Sequence, residues 1–300
     1  MPEGDTIFRA AANLGRALEG RTILRFETGY AQLARIDDDT PLPGRLVERV
    51  WSEGKHLLMR FSGGLTLRTH MRMSGSWHLY RPGQAWQRPR SDLRLLLEVG
   101  PASADAATGC ASDPVGFLAV AFSVPVAELL DDHALARSPE LRRLGPDLLA
   151  DDFDPALARA RVRAAPDRPV GEILLDQSVA AGAGNVYRSE VLFLSGLAPA
   201  RLVSAVADEE LEAMFALTRK LMRANVSTTG PGATGNIVTY TGLRRTTNRS
   251  DPGERLWVYG RGGKPCRRCG TPIAYVKTGA DARGLYFCPR CQRATATCLG

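Results

Sequence analysis

Apolar residues between 5 and 19 recur at helical spacing: Ile7, Phe8, Ala11, Leu14 and Leu18 share one face. Asp5 or Thr6 can cap the start of this helix and Gly20 can end it. The period then shortens. Strand-like runs follow at Thr22–Phe26, Leu46–Trp51, His56–Phe61, Leu65–His70, Leu93–Val99 and Phe117–Phe122. Punctuation such as Gly63-Gly64 and Arg81-Pro82-Gly83 separates them. Residues 1–125 are therefore expected to form a β-sandwich or barrel carrying one N-terminal helix. Residues 100–116, rich in Gly, Ala, Ser and Asp, read as a loop.

Beyond residue 125 the pattern to 226 is mainly helical, and the Asp, Pro and Gly content of 131–147 marks a linker. A short helix is expected from Asn185 to about Ser195. A long amphipathic one runs from Asp208 to about Ala224, with Leu211, Met214, Phe215, Leu217, Leu221 and Met222 as its apolar positions. Residues 228–253 read as a loop, and the chain ends in cysteine pairs and short β runs. The expected class is α+β: a β-sandwich with one helix over 1–125, a linker over 126–147, a helical domain over 148–252 and a small cysteine-bearing ribbon over 253–300.

Charge adds direction to this layout. The formal net charge is +7, unevenly spread. Residues 213–250 carry six Lys or Arg and no acidic residue, and 251–300 carry nine basic and three acidic ones. The last third thus holds +12 and residues 1–212 hold −5, an electrostatic footprint suited to a polyanion, although a solvated basic surface has the same composition. No apolar run is long enough to span a membrane. The opening MPEGDT lacks the basic start and apolar run of a secretory signal, so a reducing cytoplasmic setting is expected.

Cys266, Cys269, Cys288 and Cys291 form C-x2-C-x18-C-x2-C. Two such knuckles complete a tetrahedral four-thiolate site that suits one structural Zn²⁺. Disulfides fit a cytoplasmic chain poorly, and iron–sulfur clusters use other spacings. Cys110 and Cys298 stand outside the pattern and read as thiols without a role. Four thiolates leave the metal no open position, so the ribbon's expected task is to hold basic side chains against phosphates.

At the other end, Met1 precedes a small residue, and its removal leaves the secondary amine of Pro2 at the terminus. A terminal amine titrates at about 7.7–8.0, so much of it is unprotonated near neutrality and able to attack a carbonyl-like carbon. Glu3 beside it can move protons. Taken alone this opening is common and carries little weight.

It gains weight from its company. The stretches PEGDT (2–6), GKHLL (54–58), THMRMSG (69–75), DQSVAAGAGNVYRSE (176–190), VYGRGGKPCRRCG (258–270) and RGLYFCPRC (283–291) together resemble the formamidopyrimidine-DNA glycosylase/endonuclease VIII family, in family order. PEGDT is closer to the endonuclease VIII branch, THMRMSG to the formamidopyrimidine branch. The resemblance implies a β-sandwich, a helix–two-turn–helix domain and a zinc ribbon. It also implies a bifunctional glycosylase/AP lyase that acts as a monomer on double-stranded DNA containing oxidised bases or abasic sites. By resemblance Pro2 is the Schiff-base nucleophile, Glu3 assists ring opening and proton transfer, and Lys55 donates a proton or contacts phosphate. Asn185 and His70 contact phosphates, Arg283 clamps those around the lesion, and Met73 fills the space of the extruded base. From the residues alone Met73 can equally be a core methionine and His70 a packed one. The branch implied is oxidised-pyrimidine excision with β,δ-elimination; an 8-oxoguanine or formamidopyrimidine glycosylase and a non-catalytic damaged-DNA-binding protein are the alternatives. The spacer between knuckles is longer than usual for the family, which places extra length at the hairpin tip around Lys277–Asp281.

Overall fold

The computed structural model describes residues 2–101, 116–226, 237–238, 244–247, 249, 251–279 and 281–293. Cys110, Cys298 and nearly all of the 100–116 and 228–243 segments lie outside the described residues. The chain divides into two compact units, one of residues 1–142 with 229–241 and one of 143–228 with 242–300.

In the first unit the order is α1 (Gly4–Leu18), β1 (Ile23–Thr28), α2 (Ala31–Asp39), β2 (Val47–Glu53), β3 (His56–Phe61), β4 (Leu65–His70), β5 (Ser76–Tyr80), β6 (Leu93–Val99), β7 (Phe117–Phe122) and β8 (Val126–Leu130), then short helices α3 (Asp132–Arg137) and α4 (Pro139–Arg142). The strands form two antiparallel sheets, β2-β3-β4-β8 and β1-β6-β7-β5-β9, where β9 is the short Ile237–Val238. Period-two alternation assigns their faces. Leu57, Met59 and Leu67 of one sheet, Leu95, Leu97 and Ala121 of the other, and Ile7, Leu14 and Leu18 of α1 share one core. Leu96, Leu118, Val120 and Phe122 point the other way, into a smaller cluster with Tyr80 and Trp86.

Every strand expected from the pattern is present within two residues of its expected ends. Three elements depart from the expectation. The unit holds more than one helix: α2, AQLARIDDD, buries only Leu33, and so thin an apolar stripe leaves little period to read. Strand β8, VAELL, replaces the start of the expected linker and helical region. Its Glu128 sits directly across from Arg68, whose guanidinium takes the carboxylate, so a helix-favouring composition is held extended by a cross-strand ion pair. Strand β5 was hidden because Ser76, His78 and Tyr80 occupy its outer face, where the His78 ring is bonded to Ser76 Oγ and Tyr80 OH at 3.0 Å each.

The second unit contains α5 (Pro155–Arg163), α6 (Val170–Ile173), α7 (Asn185–Leu194), α8 (Asp208–Val226) and the hairpin β10 (Ala274–Thr278)–β11 (Arg283–Phe287). Asp154 caps α5, accepting the Leu157 N–H at 2.9 Å, with Pro155 in the first turn. Tyr187, Val191, Leu211, Met214, Phe215 and Met222 build its core, and Leu285 of the hairpin is part of it. A second cluster joins Phe193 to Val258, Ile273, Cys266 and Cys288. The ribbon therefore shares apolar surface with α7. Thr278 pairs with Arg283 as the last rung, which leaves the tip where the long spacer predicted it. Among the described residues no helix is long and apolar enough to cross a membrane.

Leu97 is fully buried between the sheets, whereas Leu24 is 58% exposed. Leu97→Ala is expected to lower unfolding free energy in urea titrations by about 2–5 kcal/mol, and Leu24→Ala to stay within about 0.5 kcal/mol of the parent.

Candidate active site

The amino end of α1 is built from polar residues that would ordinarily face water. Glu3, Asp5 and Thr6 are 1%, 0% and 4% exposed, next to a half-buried Pro2. The carbonyl of Glu3 accepts the N–H groups of Thr6 and Ile7 at 2.9 and 3.1 Å, making Glu3 the cap of the helix. A carboxylate at this end gains from the helix dipole. Burial of acids around a chain terminus costs free energy, so the arrangement marks a site rather than a core.

Lys55 lies in the two-residue turn Gly54-Lys55 that closes the β2–β3 hairpin, whose last pair is Glu53 with His56. His56 is in register with His70 on β4, and their rings meet edge to face with centroids 4.9 Å apart. Burial and the charges of His70, Arg68 and Lys55 pull the His56 pKa down to about 3. Burial, then Lys55, Arg72 and Arg68, pull His70 down to about 4. Both imidazoles are thus neutral near neutrality. After β4 the chain turns sharply. Gly75 is required there, because a Cβ would lie 2.7 Å from the Met71 carbonyl oxygen. The turn leaves Met73 77% exposed, which rules out the core-methionine alternative.

In the second unit the turn before α7 is laced by Gln177. Its amide donates to the carbonyls of Leu175 and Ala183 at 2.9 and 3.0 Å and accepts from Gly182 N–H at 3.0 Å. Gly182 has φ of +113°, a conformation that favours glycine. Asn185 follows as the first residue of α7, and its Oδ1 is buried with no hydrogen-bond partner among the described residues. The backbone N–H groups of a helix amino end favour an anion, and Asn185 stands at that end.

Further along the same helix, Arg188 and Glu190 are both fully buried. Arg188 donates to Thr278 Oγ1 at 2.9 Å and to the carbonyls of Arg283 and Gly284 at 3.2 and 2.6 Å. It thereby fixes the backbone from which Arg283 projects. Glu190 accepts the amides of Trp257, Val258 and Tyr259 at 2.8 Å each and the Thr246 hydroxyl. Burial raises its pKa, and these four donors oppose the shift. Arg283 itself is exposed, and among the described residues it pairs with Asp281, at 2.9 Å. Arg188 and Arg283 border a cleft of about 290 Å³ together with Arg168, Asp176 and Thr278.

The four cysteine sulfurs lie within 4.8 Å of one another, with Cys266–Cys291 at 3.9 Å and Cys269–Cys288 at 3.5 Å. Four sulfurs about 2.3 Å from a tetrahedral zinc sit roughly 3.8 Å apart, so the set fits that ion. The donor chemistry agrees. Thr271 hydrogen bonds pull the Cys269 thiol down to about 6, whereas burial pushes Cys291 up to about 12. Only a cation lets all four ionise together.

The structure thus gathers Lys55 and His70 into one cluster, with Pro2 and Glu3 at the end of α1 in the same unit; Asn185, Arg283 and the four cysteines belong to the second. Residues that sequence reasoning passed over are His56, Arg68, Gln177, Arg188 and Glu190. A signal was available for two of them: Arg188 and Glu190 interrupt an otherwise apolar helix, NVYRSEVLFL.

Comparison with known proteins agrees with this geometry. A model described as the formamidopyrimidine-DNA glycosylase N-terminal domain matches residues 1–116, one described as its H2TH domain matches 144–236, and a zinc finger found in FPG and IleRS matches 263–294. The chain is 40% identical to Endonuclease 8 2 of Mycobacterium bovis over 293 residues, 98% of this chain and 100% of that one. The chain belongs to the formamidopyrimidine-DNA glycosylase/endonuclease VIII family. The DNA-(apurinic or apyrimidinic site) lyase Nei2 of Mycolicibacterium smegmatis is 36% identical over 98% of this chain and 100% of its own. Among solved structures, Lactococcus lactis Fpg in complex with DNA containing an abasic site aligns with a TM-score of 0.74 over 97% of this chain and 100% of that chain; at 20% identity the likeness is one of fold.

In this family member α7 carries both Asn185 at its start and the two buried charges that seat the finger. Glu190→Gln places an amide donor against backbone donors. It is expected to cost about 1–3 kcal/mol in thermal unfolding, with faster loss of metal to a chelator. Arg188→Met is expected to weaken duplex binding about tenfold in anisotropy titrations at fixed salt, by freeing the Arg283 backbone.

Proposed function

We propose that this glycosylase/AP lyase excises oxidised pyrimidines from duplex DNA and then cleaves the strand by β,δ-elimination, with the Pro2 amine as nucleophile. Family membership supports the two activities, and the relatives named Endonuclease 8 2 favour the pyrimidine branch. The observation that carries the mechanistic reading is the buried Glu3 carboxylate beside Pro2 at the amino end of α1.

In this reading Met1 is removed and the Pro2 nitrogen attacks C1′ of the damaged nucleotide. The C1′–base bond breaks, with the electron pair leaving on the base, and the sugar ring opens as a proton reaches O4′. The resulting iminium accepts electrons, so loss of a C2′ proton expels the 3′ phosphate, and a second elimination expels the 5′ phosphate. Glu3 is the group placed to deliver and take protons near C1′ and O4′. Lys55, His70, Asn185 and Arg283 hold backbone phosphates, and the exposed Met73 occupies the space of the extruded base. Cys266, Cys269, Cys288 and Cys291 hold one Zn²⁺, which supplies a crosslink that folds the ribbon and takes no part in the chemistry. The enzyme acts as a monomer in the cytoplasm.

Borohydride added during reaction with thymine-glycol duplex is expected to trap a covalent protein–DNA adduct. Pro2→Gly or a retained Met1 is expected to remove it. Glu3→Gln is expected to slow base release by about a hundredfold or more while leaving duplex affinity near the parent value. Faster turnover of 8-oxoguanine than of thymine glycol in a lesion panel would move the enzyme to the other branch. No adduct from the processed protein on any lesion would sink the mechanism.

Metal removal gives a separate check. Chelation is expected to abolish duplex binding while the unfolding transition of residues 1–142 survives, since the ribbon is part of the other unit. Loss of both together would contradict a role confined to the ribbon.

A further inference from the structure

We propose that Arg68 is a positioning residue that acts through His56 to set the orientation of His70, itself an uncharged hydrogen-bond donor toward the DNA backbone; this rests on the reading of His70 as a DNA contact. The inference follows from which atoms can donate. Arg68, 2% exposed on β4, places Nε and Nη2 on Glu128 Oε2 at 3.0 and 2.6 Å, with Glu140 3.7 Å away. Its Nη1 lies 3.1 Å from His56 Nδ1. A guanidinium has donors only and keeps its charge at all relevant pH, so His56 Nδ1 must be the acceptor and its proton must sit on Nε2. The second ring is fixed by the same logic. His70 Nδ1 accepts the Arg72 backbone N–H at 3.1 Å, and an amide can only donate. His70 therefore also carries its proton on Nε2.

The two rings are locked together, edge to face with an interplanar angle of 66°, by the direct pairing of their strands. The charges around them reinforce neutrality. Lys55 on the adjoining turn, Arg68 on β4 and Arg72 beyond it all disfavour an imidazolium. Two carboxylates on the neighbouring strands bond elsewhere: Glu128 of β8 pairs with Arg68, and Glu53 of β2, opposite His56, accepts Trp51 Nε1–H at 2.9 Å. Glu140 of α4 lies on the Arg68 side, as an ion partner of that guanidinium.

A neutral donor and a cation leave different marks on binding. A cation displaces a condensed counterion from the duplex and adds to the salt dependence; a neutral N–H adds direction and affinity without it. The division proposed is that Lys55 and Arg283 supply the salt-dependent pull and His70 supplies register.

The test pairs histidine nitrogen NMR on the intact protein with salt-series binding to an abasic-analogue duplex. The spectra are expected to show His56 and His70 as neutral Nε2–H tautomers down to about pH 5, where an unshifted imidazole is charged. His70→Ala is expected to weaken binding about tenfold at every salt concentration with no change in the slope of log K against log salt. His70→Gln, a neutral donor, recovers most of the loss. Arg283→Ala lowers the slope by about 0.9. Arg68→Met with Glu128→Leu removes the buried pair without orphaning a charge, and His56→Leu removes only the acceptor. Each is expected to weaken binding in the parent and to add nothing in the His70→Ala background.

An imidazolium signal from His70 at neutral pH, or a slope that falls with His70→Ala, would overturn the proposal. So would full weakening by Arg68→Met/Glu128→Leu or His56→Leu in the His70→Ala background. Unchanged affinity in His70→Ala would overturn the reading of His70 as a DNA contact and the proposal with it, whereas a wrong tautomer with weakened binding would overturn the proposal alone.

Discussion

A carboxylate withdrawn from water must be met by donors, and the second unit is organised around one that is. Glu190 is fully buried, and three consecutive amides, Trp257 to Tyr259, with the Thr246 hydroxyl, converge on it. Stripping a carboxylate of water costs several kcal/mol even after relaxation. Each charge-assisted hydrogen bond returns about 1.5–3 kcal/mol, so the converging donors offset the cost. This makes the segment entering the ribbon dependent on a single helix position. Arg188, two residues earlier, does the same for the far side of the hairpin through two carbonyls and Thr278. The ribbon is too small to bury a core of its own, so its place is set by these polar contacts and by the shared cluster of Phe193, Val258 and Cys288.

The first unit applies the same device to a cation. Arg68 is as buried as the aliphatic residues beside it and is satisfied by Glu128 and His56. Its carboxylate partner holds β8 at the edge of the four-stranded sheet, and its imidazole partner fixes the ring that packs on His70. In both units, side chains proposed to touch DNA sit at the margin of a buried ion whose geometry is over-determined. That is what a site requiring sub-ångström placement demands of its support.

How much of this was legible in the sequence depends on the kind of signal. Helix α1, the six expected strands, α7 and α8 were legible from their apolar pattern: α1 and α8 as one apolar stripe, β6 and β7 as short apolar runs between turn residues. Helix α2 and strands β5 and β8 were not, because partners distant in sequence decide them: Glu128 is strand-forming only opposite Arg68, and Ser76-Trp77-His78 is strand-forming only when its polar face is bonded within itself. The site divides similarly. Pro2, Glu3, Lys55 and the cysteines were reachable through motifs, since the chemistry dictates residue type and spacing. His56 and Arg68 lie in or beside those motifs, yet their function is invisible without the register that puts them together. A buried charge in an apolar run, as in NVYRSEVLFL, was the one supporting feature that spacing alone could have flagged.

The contrast between Arg188 and Arg283, the proposed phosphate contact, illustrates why support and contact fall to separate residues. Arg283 is exposed, and its pair with Asp281 is screened by water. Such pairs contribute about 0–1 kcal/mol, so exchanging Asp281 for a phosphate costs almost nothing. Arg188 could not make that exchange, because leaving Thr278 and two carbonyls would strand unsatisfied polar groups in a dry interior. One arginine is therefore built to hold and the other to let go. The same reasoning applies to Arg68 beneath His70: a group that must release DNA after each turnover gains by being a neutral, partly exposed donor, while the permanent charge that orients it stays buried with its own carboxylate.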